Sequence, residues 1–337
     1  MAVSVLLLRG LVEAVEKAGV SRDRFLGLAR FDPRRLDDVE GRLELDEYEA
    51  LQELALELTG DPALGLHMGH DASAPTYNLA AHLVVHATSL RSGIDGLLRF
   101  HRLLVDRPVW RLEENDRTVT LACDVRATSA RCRRLRAEVV MTGCYRMMRY
   151  FARGSLPEYV AFDYAAPAYR EEYARTFDGT ERFEQSFTGL VLDRALMDAG
   201  QPNHDPEFHA ALEVQAAKRV ARLARTSTYA ERVRDHVLGL STPDRRDMRA
   251  AAQALGLSPR TLRRRLHEEG ASYHAVVEGA LALLAKQLLA DERRSIQETA
   301  DAVGFSDPGA FSRAFKRWTG STPKRFQIEQ AQSRSPT

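Results

Sequence analysis

Residues 295–325 read SIQETADAVGFSDPGAFSRAFKRWTGSTPKR, and this stretch decides the fold of the C-terminal third of the chain. Ser295-Ile-Gln-Glu298 is a capping box, which predicts the start of a helix. Gly304 supplies a turn, and Asp307-Pro308 then pairs a capping side chain with a proline that suits the first helical position. A short helix, a glycine turn and a second helix together form a helix-turn-helix motif.

The same pattern occurs once before, over residues 248–266. Gly256 turns the chain there, and Ser258-Pro259 opens the second helix in the same way as Asp307-Pro308. A helix over residues 274–290 joins the two copies. The C-terminal part is therefore predicted to be all-α with two helix-turn-helix motifs.

Basic side chains occupy the outward side of the second helix in both motifs. Arginine can grip guanine O6 and N7 in the major groove, whereas lysine and other arginines neutralise phosphates. A single basic helix face can equally be a solvated surface, but two tandem motifs with matching caps favour DNA binding. The predicted base contacts are Arg260, Arg263, Arg264 and Arg313. The predicted backbone contacts are Arg265, Lys316, Arg317, Lys324 and Arg325.

Composition agrees with a soluble protein of two domains. The chain has 337 residues, of which 28% are charged and 44% hydrophobic, the balance of globular proteins. The net charge of +1 is unevenly spread. From Leu240 onward 16 Lys and Arg face 11 Asp and Glu, a net of +5, whereas the preceding residues hold 32 against 36, a net of −4. This asymmetry indicates a polyanionic partner for the C-terminal third.

The sequence predicts a reduced, cytoplasmic protein without a membrane partner. The early apolar run Val5 to Leu8 is too short to span a bilayer, and the charged residues that follow it argue against a signal peptide. Cys123, Cys132 and Cys144 form no CxxC pair, so a disulfide framework is not indicated.

The N-terminal part is predicted to be α+β, consisting of helices with a small antiparallel sheet. Helices are predicted over residues 2–18 and 130–153, and residues 109–113 and 118–123 alternate as a β-hairpin does. Four segments are predicted: 1–204, an effector-binding or dimerisation domain; 205–228, a helical linker; 229–328, the DNA-binding domain; and 329–337, a flexible tail.

Residues 230–328 resemble the DNA-binding domain of the AraC/XylS transcription regulators. The positions that carry the resemblance are Ile296, Ala300, Gly304, Phe305, Phe311, Phe315, Gly320 and Pro323. Carried over position by position, the family's base-reading places fall on Arg260, Arg263, Arg264, Pro308, Gly309 and Arg313. Because Pro308 and Gly309 have no long polar side chain, the second helix is expected to read DNA mainly through Arg313 and shape. Ala282 and Gln327 also depart from the family pattern, which has arginine there.

The N-terminal domain resembles the sensor domain described as arabinose-binding-like, which is not the cupin-type sensor. The resemblance is carried by GLHMGHDASAPTYNLAAHLVVHATSLRSGIDGLLRFHRLL, residues 65–104, and by the hairpin that follows. It implies binding of a small-molecule effector, and the family's name is not evidence for a sugar. An effector pocket combines apolar walls with a few oriented polar groups. The residues predicted to line it are His82, Tyr145, Arg146, Met147 and Phe151.

Neither a metal site nor a catalytic site is predicted. His67 and His70, and likewise His82 and His86, could share a helix face, but no further ligands are suitably spaced. The chain has no GxSxG, Walker or GxGxxG motif, so no cofactor is expected.

The predicted function is therefore that of a sequence-specific transcription regulator, expected to be an activator controlled by a small-molecule effector. Its partners would be an operator in double-stranded DNA, the effector, RNA polymerase if it activates, and a second copy if it dimerises. One alternative is a regulator whose N-terminal domain only dimerises. The other is an enzyme fused to a DNA-binding domain.

Overall fold

The computed structural model describes residues 2–71, 74–106, 109–151, 156–198, 200, 204–226, 228–240, 246–290 and 294–332. The chain divides into two compact units, one of residues 2–125 and 132–223, the other of residues 224–337 with 126–131. Among the residues described, no helix is both long and apolar enough to cross a membrane.

Nine α-helices belong to the described part of the first unit. They are α1 (Val5–Lys17), α2 (Arg22–Leu28), α3 (Leu45–Thr59), α4 (Leu64–Asp71), α5 (Ala74–Val85), α6 (Leu90–Arg99), α7 (Ala130–Phe151), α8 (Arg170–Phe177) and α9 (Pro206–Thr226). Short 3-10 turns cover Pro33–Leu36, His101–Leu103 and Arg194–Asp198.

Seven strands accompany these helices. They are β1 (Ala2–Ser4), β2 (Arg42–Glu44), β3 (Trp110–Glu114), β4 (Thr118–Cys123), β5 (Tyr159–Ala161), β6 (Glu181–Arg182) and β7 (Thr188–Asp193). β1 and β2 pair antiparallel, with Val3 opposite Leu43. The prediction of helix from residue 2 was therefore wrong for its first turn. Ser4 ends the strand and caps α1 instead, because its hydroxyl accepts the Leu6 N–H.

The other five strands form one sheet in the order β3-β4-β7-β5-β6. The predicted hairpin is present as β3 and β4, with Leu112 opposite Leu121. The sheet is mixed rather than wholly antiparallel, since β5 and β6 run parallel. The cause is α8, which lies between them in sequence and returns the chain to the same end of the sheet, as a parallel connection requires.

The last helix of the first unit, α9, packs against its neighbours with one apolar stripe. Ala216 is fully buried, and Leu212 and Val220 are half-buried beside it against Leu83 and Phe100. Arg219 of the same helix pairs with Glu40 at 3.5 Å. Residues 206–226 of the segment predicted as a linker are thus helical, and the helix belongs to the first unit as far as Leu223.

All the regular secondary structure among the described residues of the second unit is α-helical. Its helices are α10 (Tyr229–Gly239), α11 (Met248–Ala254), α12 (Pro259–Glu268), α13 (Tyr273–Leu289), α14 (Ile296–Ala302), α15 (Pro308–Thr319) and α16 (Pro323–Gln332). One core contains Val233, Leu262 and Leu266, and a second contains Phe311 and Phe315. Leu281 and Leu284 of α13 pack against both cores.

Candidate DNA-binding interface

The first helix-turn-helix motif consists of α11 and α12. Gly256 between them has a φ of +68°, a backbone conformation that glycine adopts without strain. Ser258 then caps α12, because its hydroxyl accepts the Thr261 N–H at 3.1 Å. With Leu262 and Leu266 buried, the opposite side of α12 faces outward.

The second motif, α14 and α15, repeats this construction. The predicted capping box is present, with reciprocal hydrogen bonds between Ser295 and Glu298. Gly304 turns the chain with a φ of +87°. Asp307 caps α15, since its carboxylate accepts the N–H groups of Gly309 and Ala310; these two bonds lower the pKa of Asp307.

The side chains predicted to read bases are exposed on α12 and α15. Arg260, Arg263 and Arg264 lie on one side of α12 and Arg313 on α15. The Arg313 side chain is 77% exposed and its Nη2 atom lies 3.9 Å from Asp307 Oδ2, so this pairing restrains it little. In position and exposure these arginines can reach a DNA groove.

The side chains predicted to contact phosphates fall into two groups. Arg265 is hydrogen-bonded to Glu268 at 3.2 Å and Arg325 to Glu329 at 2.8 Å. Arg317 pairs with Glu278. In contrast, Lys316 and Lys324 are exposed and form no ion pair within the described part of the chain. The three arginines must therefore exchange an intramolecular partner for a phosphate.

Two departures from the family pattern have structural explanations here. Gln327 donates its side-chain N–H to the Arg294 carbonyl at 3.0 Å, so it secures the second motif. Gly309 lies at the capped start of α15, where an added Cβ would stand 3.2 Å from the Asp307 carboxylate. A side chain at that position would therefore require the capping carboxylate of Asp307 to shift slightly.

Sequence reasoning missed two residues that hold the interface together. Glu278 of α13 accepts the Trp318 indole N–H at 3.0 Å and pairs with Arg317, and these contacts lower its pKa, the Trp318 bond most. Arg246 donates to the carbonyls of Val303 and Ala302. Both sets of contacts join residues about 40 to 60 positions apart, so no local pattern announces them.

The residues predicted to line the effector pocket lie in different places. Tyr145 is buried in the core beside the sheet, edge-on to Phe177, and its hydroxyl donates to Asp178 at 2.6 Å. Met147 packs against the same core. Arg146 is exposed and donates to the carbonyl of His70 at the end of α4.

His82, by contrast, is on α5 and stacks on His86, which contacts Phe208 of α9. The Nδ1 atom of His82 is buried and has no hydrogen-bond partner among the described residues. The Phe151 side chain lies outside the described residues. The structure therefore does not bring the described members of this set around one cavity, and the pocket remains a prediction.

A small cavity in the first unit is lined by other residues. It has a volume of about 20 Å³, room for a single water molecule. Its lining comes from β1, α1, β2, α5 and α9 through Ser4, Leu6, Arg42, Leu79, Arg219 and Leu223. Val39, Glu40, Ala80 and Leu103 complete it.

A buried carboxylate, Glu138 of α7, also escaped the sequence reasoning. It is 1% exposed and accepts hydrogen bonds from the hydroxyls of Tyr169 and Tyr173. Burial raises its pKa to about 7, against the lowering effect of the two tyrosines. Within the described residues no group of three or more His, Cys, Asp or Glu side chains could hold a metal ion.

Comparisons with known proteins connect both units to one family. Residues 19–200 match the family described as the arabinose-binding domain of AraC transcription regulators, N-terminal, and residues 251–328 match a helix-turn-helix domain family. The chain is 29% identical over 327 residues to the ornithine utilization regulator of Pseudomonas aeruginosa, covering 96% of each chain.

Two further similarities cover a smaller part of the chain or have a lower sequence identity. The chain is 28% identical over 200 residues to the transcriptional regulator VirS of Mycobacterium tuberculosis, covering 56% of each. The crystal structure of the regulator CdpR from Pseudomonas aeruginosa aligns with 96% of the chain and 98% of its own, at 23% identity and a TM-score of 0.46. The first family match alone spans more than half of the chain, and the chain therefore belongs to the AraC family of DNA-binding transcription regulators.

Proposed function

We propose that this regulator binds its operator by placing α12 and α15 in two successive major grooves on one face of the DNA. The observation that carries the proposal is the repeated construction of the two motifs, each with a capped, exposed basic helix after a glycine turn. Recognition helices in tandem are suited to sites about one helical turn, or ~10 bp, apart. One chain would then protect two adjacent, unlike sites.

In this proposal the exposed cations have two roles. Arg260, Arg263, Arg264 and Arg313 read bases. The phosphates are bound by Arg265, Lys316, Arg317, Lys324 and Arg325. Substituting Arg263 by alanine should cost about 1–3 kcal/mol on the preferred sequence and relax the base preference at one position. Substituting Lys316 by alanine should weaken binding to all sequences about equally.

The experiment compares both variants with the wild type on a duplex selected from a random library and on a random-sequence duplex. Footprinting of the selected duplex gives the protected segments. Equal losses of Arg263→Ala on both duplexes would contradict the assignment of Arg263 to base reading. Protection of a single groove per chain would contradict the tandem arrangement.

We further propose that a small molecule bound by residues 2–223 controls this binding. The supporting observation is that α9 packs against the first unit and leads in sequence directly into α10 of the second. The cavity of about 20 Å³ is too small for an effector, so an effector that binds there would have to open it. As an activator the protein would also contact RNA polymerase.

A thermal-shift screen tests this, beginning with basic amino acids because the P. aeruginosa relative is named for ornithine utilization. Linkage requires that a true effector and operator DNA change each other's affinity by the same factor, typically ~5–150-fold. A stabilising compound whose affinity is unchanged by DNA would favour the alternative, an N-terminal domain that only dimerises. Sedimentation of the full chain distinguishes a monomer from a dimer.

A further inference from the structure

Arg246 connects the two helix-turn-helix motifs. Its backbone precedes α11 of the first motif, and its guanidinium reaches the second. Nη1 donates to the Val303 carbonyl at 2.8 Å and Nη2 to the Ala302 carbonyl at 3.4 Å. These carbonyls end α14, immediately before the turn into the recognition helix α15.

The backbone of Arg246 is itself held in place. The hydroxyl of Tyr273, the first residue of α13, donates to the Arg246 carbonyl at 3.0 Å. Arg246 is half-buried, and burial lowers its pKa. Hydrogen bonds from a desolvated guanidinium are stronger than those of an exposed arginine, since water competes less.

The two motifs also share α13, whose Leu281 and Leu284 pack against both cores. A single shared helix sets the distance between two bodies but resists rotation about its own axis less well. Arg246 attaches the second motif at another point, the end of α14. Two separate attachments restrict that rotation.

We infer that Arg246 is a positioning residue that sets the spacing between the two DNA segments the protein can bind. The inference rests on the proposed function, in which α12 and α15 enter successive grooves. Inserting one base pair between the segments moves the second by about 3.4 Å and rotates it by about 34°. A rigid pair of motifs cannot follow this change, whereas a pair lacking the second attachment can follow part of it.

The test uses the full chain and the duplex it selects from a random library, with one base pair inserted or deleted between the two protected segments. The wild type should bind the altered duplexes at least ~10-fold more weakly. Arg246→Ala should bind the parent duplex more weakly, and its penalty for the altered spacing should fall below ~3-fold. Arg246→Lys, which retains the charge and one donor group, should give an intermediate penalty.

Glu269→Gln is the matched control. Glu269 accepts the N–H groups of Tyr229 and Ala230 at 2.7 and 2.9 Å, so its loss weakens a contact between the end of α12 and the start of α10 and leaves the contacts of Arg246 with the second motif intact. It should lower the melting temperature and leave the spacing penalty at the wild-type value.

Three other results would bear on the role proposed for Arg246 or on the proposed tandem binding. If Arg246→Ala weakens binding by the same factor at every spacing, the residue is merely stabilising and the inference is wrong. If Arg246→Ala does not fold, judged by circular dichroism, Arg246→Lys decides, and an unchanged penalty overturns the inference. If the wild type protects only one segment, the proposed tandem binding fails instead.

Discussion

At the scale of single residues, Glu268 opposes the DNA contacts proposed for its own helix. Its two carboxylate oxygens accept from Arg264 at 3.1 Å and from Arg265 at 3.2 Å, and all three side chains are 44–62% exposed. Exposed ion pairs contribute only about 0.2–1 kcal/mol. Glu268→Gln should therefore raise the affinity for random-sequence DNA by about 2- to 5-fold, because it releases Arg265 for a phosphate. Since it also releases Arg264, which is proposed to read a base, the affinity for the selected duplex should rise as well.

Glu171→Gln is the control for this prediction, since Glu171 forms a similar i,i+4 pair with Arg175 on α8 of the first unit. It removes the same charge from the protein. Fluorescence anisotropy with both duplexes measures the effect, and equal results for the two variants would show that Glu268 has no local role.

Glu138 gives a prediction about pH. Its pKa in the folded protein is about 7, above the usual 4.5, so folding favours the protonated form. This contribution to stability is complete below pH ~4.5 and is lost as the pH rises through ~7. At pH 8, Glu138→Gln should therefore raise the free energy of unfolding by about 3 kcal/mol, and below pH ~4.5 by almost nothing.

Urea unfolding of the wild type and of Glu138→Gln at several pH values checks this. The difference between the two proteins is the informative quantity, because other carboxylates titrate in both. A difference that does not vary between pH 4.5 and 8 would be incompatible with a buried, protonated Glu138. The amide oxygen of glutamine can still accept from Tyr169 and Tyr173, so the variant is expected to fold.

At the scale of elements, α4 and α7 cross at two glycines. A Cβ on Gly65 would stand 2.6 Å from the Leu135 carbonyl, and one on Gly69 would stand 2.8 Å from the Val139 carbonyl. Backbone atoms cannot yield as a flexible side chain does, so Gly65→Ala should destabilise the protein by about 1–3 kcal/mol. Gly143→Ala, on α7 with open space around it, should instead stabilise by about 0.4–1 kcal/mol. Thermal denaturation compares them, and equal melting temperatures would refute the close crossing.

The elements also show which features could be predicted from the sequence. The caps at Ser258, Ser295 and Asp307 depend on residues two or three positions away, so local patterns identified both motifs. β1 was missed because three residues become a strand only by pairing with β2, about 40 positions later. The effector residues were chosen as a mixture of apolar and polar side chains, and residue type does not indicate what each side chain faces. Thus Tyr145 faces the sheet, while His82 lies on another helix near α9.

At the scale of the whole molecule, the uneven charge decides how salt affects DNA binding. The chain carries a net charge of only +1, so its overall charge supplies little attraction, and charges beyond about 8 Å are screened at physiological ionic strength. The five proposed phosphate contacts lie in the C-terminal third, where the net charge is +5. Each contact contributes about 0.9 to the slope of log Kd against log salt concentration, which predicts a slope of about 4 to 5 on random-sequence DNA.

Among the five proposed phosphate contacts, Lys316 and Lys324 are the two that form no ion pair within the described residues, and removing them together should lower this slope by about 2. The control, Glu171→Gln, changes the charge of the first unit and should leave the slope unaltered. Titrations of a labelled random duplex between about 50 and 200 mM KCl measure all three proteins. Two results would mean that long-range attraction, rather than contact by α15 and α16, holds the DNA. One is a wild-type slope near 1. The other is a slope that changes with the net charge of the protein whether the substitution lies in the first unit or in the C-terminal third. A slope of 4 to 5 that only the C-terminal substitutions reduce would instead require that phosphates are neutralised at this surface, because counterions are released only where charges meet the DNA closely.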